Sequence, residues 1–182
     1  GHHDMSRILK RIAAGVVIAG VAALLLAAGG YAAGARVNTT KSIPVGLYWT
    51  SSAPVEKGAY VLFCPPQLGV FDDAKERGYI GAGFCQGGYG YMMKRVLAAK
   101  DDAVAVADDG VRVNGELLPL SAPIKADKAG RPLPRYQSNS YTLGNSEVLL
   151  MSDVSATSFD GRYFGPINRS QIKTVIRPVI TW

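Results

Sequence analysis

From Ile12 to Ala35 the chain carries no charged residue. Wound into a helix at about 1.5 Å per residue, this run would reach roughly 36 Å. A bilayer core is about 30 Å thick, so the run is long enough to span it. Arg7, Lys10 and Arg11 stand before it. Positive flanks stay on the cytoplasmic side, so everything after Arg36 is expected to face out. A cleavable secretory signal is the alternative, and the basic start and the Ala32-Ala33-Gly34-Ala35 end suit it. The length of the run and the nearness of Ser42 favour a retained anchor. Either reading sends the remainder across a membrane.

The rest of the 182 residues is room for one globular domain of about 145 residues. The chain divides into residues 1–4, which read as an expression-tag remnant, a cytoplasmic start and anchor over 5–35, and an extracytoplasmic domain over 36–182. His2 and His3, the only histidines, fall in the remnant. The native chain therefore has no His base, His metal ligand or His-based pH switch, and no metal or cofactor is expected. Beyond Ala35, 17 Lys/Arg stand against 13 Asp/Glu, a net charge of only +4. These charges are dispersed, which argues against nucleic-acid binding. Cys64 and Cys85 are the only cysteines. Their separation rules out a CxxC redox motif, and outside the cytoplasm a disulfide is the best reading.

Most of the outer domain reads as strand. Residues 45–50, 59–63, 89–98, 103–107, 111–113, 116–118, 148–151 and 172–180 are apolar or β-rich runs bounded by turn residues. Asp108-Asp109-Gly110 and Asn114-Gly115 are turn signals between them. Residues 68–77, closed by Gly78, are the one expected soluble helix. Residues 119–140, with four prolines, read as a long loop or small subdomain.

Three segments carry candidate chemistry: residues 38–48 with Thr40-Lys41-Ser42-Ile43-Pro44 inside, residues 91–97 with Lys94-Arg95-Val96 inside, and residues 158–165 with Ser158, Asp160, Arg162 and Gly165. Alone, each has a plainer reading: a turn serine, a snorkelling lysine, a surface ion pair. Together, in this order after an anchor, they resemble the serine, lysine and Ser-x-Asp-x-Arg-x-x-Gly boxes of the S26 family of signal peptidases. Pro44 lies two residues after Ser42 rather than three, and with Val45-Gly46-Leu47-Tyr48 this resembles the TraF-like branch, the conjugative-transfer peptidases. Where the family commonly has Gly-Asp and Gly-Asp-Asn runs, this chain has Asp101-Asp102 and Met151-Ser152-Asp153.

The resemblance implies a mainly β fold: a signal-peptidase-like antiparallel β-sheet catalytic domain after one N-terminal transmembrane helix. It implies a serine endopeptidase with Ser42 as nucleophile and Lys94 as general base. Thr40 and the Ser42 N–H would form the oxyanion hole, Ser158 would hold the lysine amine towards Ser42, and Asp160 and Arg162 would fix that segment. The missing histidine leaves lysine the best available base independently of the family. A lysine serves only if burial lowers its pKa, a setting that Met92, Met93, Val96 and Leu97 could supply. The implied partners are a membrane-embedded pilin or pre-protein substrate, the bilayer, and other proteins of a conjugation apparatus. The implied place is the inner membrane with the catalytic domain on the periplasmic side. A general type I signal peptidase, or a non-catalytic anchored β domain scaffolding secretion or pilus assembly, are the alternative functions. Hydrolysis and cyclisation of the client are not separated by the residues.

Overall fold

A computed structural model describes residues 1–182 and divides them into two units, Gly1–Arg36 and Val37–Trp182. The first holds one helix, α1 (His2–Ala33), long and apolar enough to cross a membrane, and ends in the first residues of a strand. The helix begins before the uncharged run because Arg7, Lys10 and Arg11 are good helix formers. It ends where Gly34 takes a left-handed conformation and returns its N–H to the carbonyls of Gly30 and Tyr31.

The second unit is mainly antiparallel β. Its strands are β1 (Ala35–Asn38), β2 (Gly46–Ser51), β3 (Tyr60–Phe63), β4 (Met92–Ala98), β5 (Ala103–Ala107), β6 (Gly110–Val113), β7 (Glu116–Leu117), β8 (Ser138–Thr142), β9 (Glu147–Met151), β10 (Ile167–Asn168) and β11 (Ile172–Thr181). Two short α-helices, α2 (Gly69–Glu76) and α3 (Gly161–Phe164), and a 3-10 turn over Arg169–Gln171 interrupt them. A seven-stranded sheet runs β1-β2-β11-β3-β4-β9-β10, and a four-stranded sheet runs β7-β6-β5-β8. Of the 119–140 segment, the last residues pair as the start of β8 against β5, and the rest is irregular. Ser138–Thr142 is polar and mostly exposed, so it carries no apolar alternation by which its sequence could be read as strand.

Strand β9 explains why the two sheets hold together. Val148 and Leu150 pack with Val61, Phe63, Phe71 and Ile167. Leu149 and Met151 turn the other way and pack with Val104, Val106, Val111 and Val113 of the smaller sheet. Successive strand residues point to opposite faces, so a run buried on both faces is uniformly apolar. A third cluster, Ile43, Tyr48, Leu62 and Ile176, lies beneath the segment that carries Ser42.

Candidate active site

Strand β4 presents Lys94 to the interior. Its residues alternate buried and half-buried, with Met92, Lys94 and Val96 on one buried face; past a register shift in the pairing with β9, Ala98 is buried in the cluster against the smaller sheet. Lys94 pairs across to Val61 of β3, which is fully buried. Of the four apolar residues expected to surround the amine, Met92 and Val96 share its face. Met93 and Leu97 point to the opposite side of the sheet, because the side-chain period of a strand is two. Arg95 also faces away, bound to Gly58 O and to Asp153.

Lys94 is 4% exposed, and its Nζ donates to Ser42 Oγ at 2.8 Å. Burial pulls its pKa down from 10.5 to about 8; Asp160 opposes this and Arg162 reinforces it. Ser158 is also buried, and its Oγ lies 2.9 Å from Ser42 Oγ. Its hydrogen bond runs to the serine hydroxyl, the same oxygen that Lys94 Nζ reaches. The serine oxygen already receives Lys94 from one side, and Ser158 meets it from another.

Ser42 owes its position to a residue that the sequence motifs passed over. Asn38, 3% exposed, donates from Nδ2 to the carbonyls of Thr40, Ile43 and Pro44 at 2.8, 3.0 and 3.2 Å. Its Oδ1 accepts from the Thr40 N–H and the Thr40 hydroxyl at 3.1 and 2.9 Å. One buried amide therefore satisfies the backbone on both sides of Ser42. The Thr40 hydroxyl, expected in the oxyanion hole, lines the cavity but is turned back onto Asn38. Tyr48 fixes the far end of the loop by donating to Pro44 O, and Gly46 permits it: a Cβ there would stand 2.1 Å from Ile180 O.

Asp160 and Arg162 are both fully buried and paired in a fork, Nε to Oδ1 at 2.8 Å and Nη2 to Oδ2 at 2.9 Å. Asp160 also caps α3 through the Arg162 N–H and accepts from the Ser152 N–H. Arg162 donates onward to the carbonyls of Leu120, Ala156 and Ser155. With every fork donor used, the pair is a fully satisfied buried ion pair that ties the loop leading into Ser158 to the end of β9.

Cys64 and Cys85 are disulfide-bonded. The bridge closes a segment holding α2, Tyr79, Ile80 and Gly81. Those last three residues line a cavity of about 360 Å³ over Ser42 and Lys94, and Thr157 and Phe159 line it with them, Phe159 packed against Tyr79 in one wall. Sequence reading missed Tyr79, Ile80 and Phe159. Phe159 stands in an unspecified position of the last box, and the other two are brought in by the fold of the bridged segment.

Arranged in this way, the hydroxyl, buried amine and cavity have the parts for nucleophilic acyl chemistry. A family model described as signal peptidase, peptidase S26 matches residues 5–182. A plasmid transfer protein TraF of Escherichia coli is 77% identical over 178 residues, covering 98% of this chain and 100% of that protein. A conjugal transfer protein TraF of Agrobacterium fabrum is 35% identical over 171 residues, covering 93% and 92%. One of Agrobacterium tumefaciens is 36% identical over 166 residues, covering 89% and 90%. A crystal structure of a signal peptidase I from Enterococcus faecalis is 16% identical, covers 70% of this chain and 100% of its own, and aligns with a TM-score of 0.38, too low to carry an argument. A family model matched over nearly the whole chain, and relatives matched over nearly their own lengths, leave one conclusion: the chain belongs to the S26 signal peptidase family.

Proposed function

We propose that the protein is a membrane-anchored serine endopeptidase that processes membrane-held precursors, conjugative pilin among them, on the far side of the membrane. The observation that carries this reading is the 2.8 Å contact between Ser42 Oγ and a buried lysine whose pKa has fallen to about 8. A neutral Lys94 takes the proton as Ser42 Oγ attacks a peptide carbonyl. The resulting ammonium then gives that proton to the departing amine. The Ser42 N–H meets the developing oxyanion. The Thr40 hydroxyl joins it by rotating away from Asn38, and those donors favour the transition state over the planar carbonyl. Water, or an amine of the substrate itself, then resolves the acyl-enzyme.

The client class rests on two supports. Helix α1 is long and apolar enough to cross a membrane, with Arg7, Lys10 and Arg11 at its start. The relatives carry plasmid and conjugal transfer names. The test is processing of a pilin precursor in cells carrying Ser42→Ala or Lys94→Ala. Loss of processing by both variants is expected; full processing by both overturns the reading. A panel of secreted pre-proteins separates a dedicated enzyme, which leaves them uncut, from a general signal peptidase.

A further inference from the structure

Behind the Tyr79–Phe159 wall lies a second recess of about 200 Å³. It shares Tyr79, Thr157 and Phe159 with the catalytic cavity, so the two are neighbours through the same side chains. Its other walls are Ile124, Leu133 and Tyr163, with Asp127 and Lys128 among its lining. Phe159 and Tyr163 stack in parallel, 5.8 Å apart and 5° from coplanar, and Tyr79 sits 5.4 Å from Phe159. The lining is thus largely aromatic and aliphatic, with charge supplied by two residues.

The outer wall of this recess is an ordered strap rather than a loose loop. Residues 125–133 fold back on themselves through Asp127 N–H to Arg131 O and Leu133 N–H to Lys125 O. Asp127 accepts from the backbone of Ala129 and Arg131, from the Arg131 guanidinium and from the Tyr79 hydroxyl. The Tyr79 bond and the Arg131 contacts hold its carboxyl down at about 2. Arg77 grips Pro132 O, and the Tyr163 hydroxyl accepts from the Ile124 N–H. Two of these anchors, Tyr79 and Tyr163, are themselves walls of the recess. An apolar recess preformed at this cost in polar contacts, and adjoining the catalytic cavity through three shared side chains, has the features of a ligand subsite.

We propose that this recess is a specificity subsite that takes one large aliphatic or aromatic side chain of the substrate polypeptide, at a distance from the bond cut at Ser42. The proposal rests on the peptidase reading above, because the occupant is the same polypeptide that enters the catalytic cavity. The strap over residues 125–133 then selects clients: it rewards a chain that extends beyond the scissile bond and carries a bulky apolar residue at the right spacing.

The test uses the full chain reconstituted in vesicles with two substrates, a membrane-held pilin precursor and a short peptide spanning only the residues next to its cut. Ile124→Trp fills the recess from a partly exposed position, and Leu133→Asp places a carboxylate in it. Both are expected to lower the ratio of kcat/KM for precursor over peptide by about tenfold, chiefly through KM for the precursor. Alanine replacement of one bulky apolar residue of the precursor should give the same fall, with no further fall when combined with Ile124→Trp. An unchanged ratio in Ile124→Trp, or additive losses in the combination, overturns the subsite. Ser42→Ala keeps the two levels apart. If it still cuts the precursor, the peptidase reading fails; if it cuts nothing while Ile124→Trp leaves the ratio unchanged, the subsite alone fails.

Discussion

The Lys94 amine reaches Ser42 Oγ at 2.8 Å from a strand position directly opposite the buried Val61. The apolar pairing that holds the amine also sets the pH at which it can work. Only the neutral amine accepts a proton, and burial brings its pKa to about 8. Below that value kcat/KM is expected to fall about tenfold per pH unit, and above it to level off. The check is kcat/KM for a peptide substrate across about pH 6 to 9.5. A profile flat across pH 8 would count against Lys94 as the base.

The same shift has a signature in stability. The folded pKa of about 8 lies below the ordinary lysine value of 10.5, so between these values the unfolded chain holds more protons than the folded one. The contribution of Lys94 is therefore least favourable below pH 8 and improves as pH rises to 10.5. Lys94→Met removes this titration while keeping the bulk of the side chain. Its stability advantage over the parent should be greatest near neutral pH. It should shrink by roughly 3 kcal/mol across the full window, read by urea unfolding of both proteins at each pH. A difference independent of pH would show that the amine does not titrate in this range.

Much of this arrangement was legible in the chain, because strand period and motif order are local properties. The alternation of Met92, Lys94 and Val96 announces a half-buried strand with a lysine on its apolar side. The same period should have excluded Met93 and Leu97 from the amine's surroundings. Anchor and serine segment could be read because each is contiguous. Asn38 escaped because its partners are backbone carbonyls, which leave no trace in side-chain pattern. Tyr79 and Phe159 escaped because 80 residues separate them, and only packing makes them one wall. Ser158 was found by motif, but its bond to the Ser42 hydroxyl depends on angles that no motif carries.

Asn38 is expected to matter to kcat more than to KM. Asn38→Ala frees three carbonyls and two donors around Ser42, a stability cost of about 2–3 kcal/mol. A nucleophile displaced by about 1 Å costs on the order of 100-fold in rate. Asn38→Asp should not rescue, since the second carboxylate oxygen would face the carbonyls of Thr40, Ile43 and Pro44. Steady-state kinetics on folded protein, checked by circular dichroism, would read this. A loss confined to folded yield, with kcat intact, would reduce Asn38 to a purely structural role.

The disulfide should stabilise the domain and the cavity wall together. Cys64 and Cys85 are 21 residues apart, and closing a loop of this size removes about 3 kcal/mol of unfolded-chain entropy. The Cys64→Ser, Cys85→Ser double variant is expected to lose about that much stability. Because Tyr79, Ile80 and Gly81 lie within the loop, it should also raise KM. Thermal unfolding and KM, measured side by side with the parent, check both halves. Reduced stability with unaltered KM would mean that the wall holds its shape without the bridge.

Asp160 and Arg162 pull the lysine in opposite directions, and this makes the pair separable from a simple prop. Asp160 raises the Lys94 pKa and Arg162 lowers it. Asp160→Asn removes the raising charge and leaves the lowering one, so the acid limb of kcat/KM should move below pH 8. It also leaves Arg162, which is fully buried, without its counter-ion, at a cost of about 3–5 kcal/mol. Replacing both residues, Asp160→Asn with Arg162→Met, removes both charges. The acid limb should then return towards the parent value, and the stability loss should be smaller than the sum of the two single losses. Unfolding free energies and pH profiles of the three variants supply the comparison. If the limb stays put in Asp160→Asn while stability falls, the carboxylate acts on the fold of the Ser158 loop and not on the charge of Lys94.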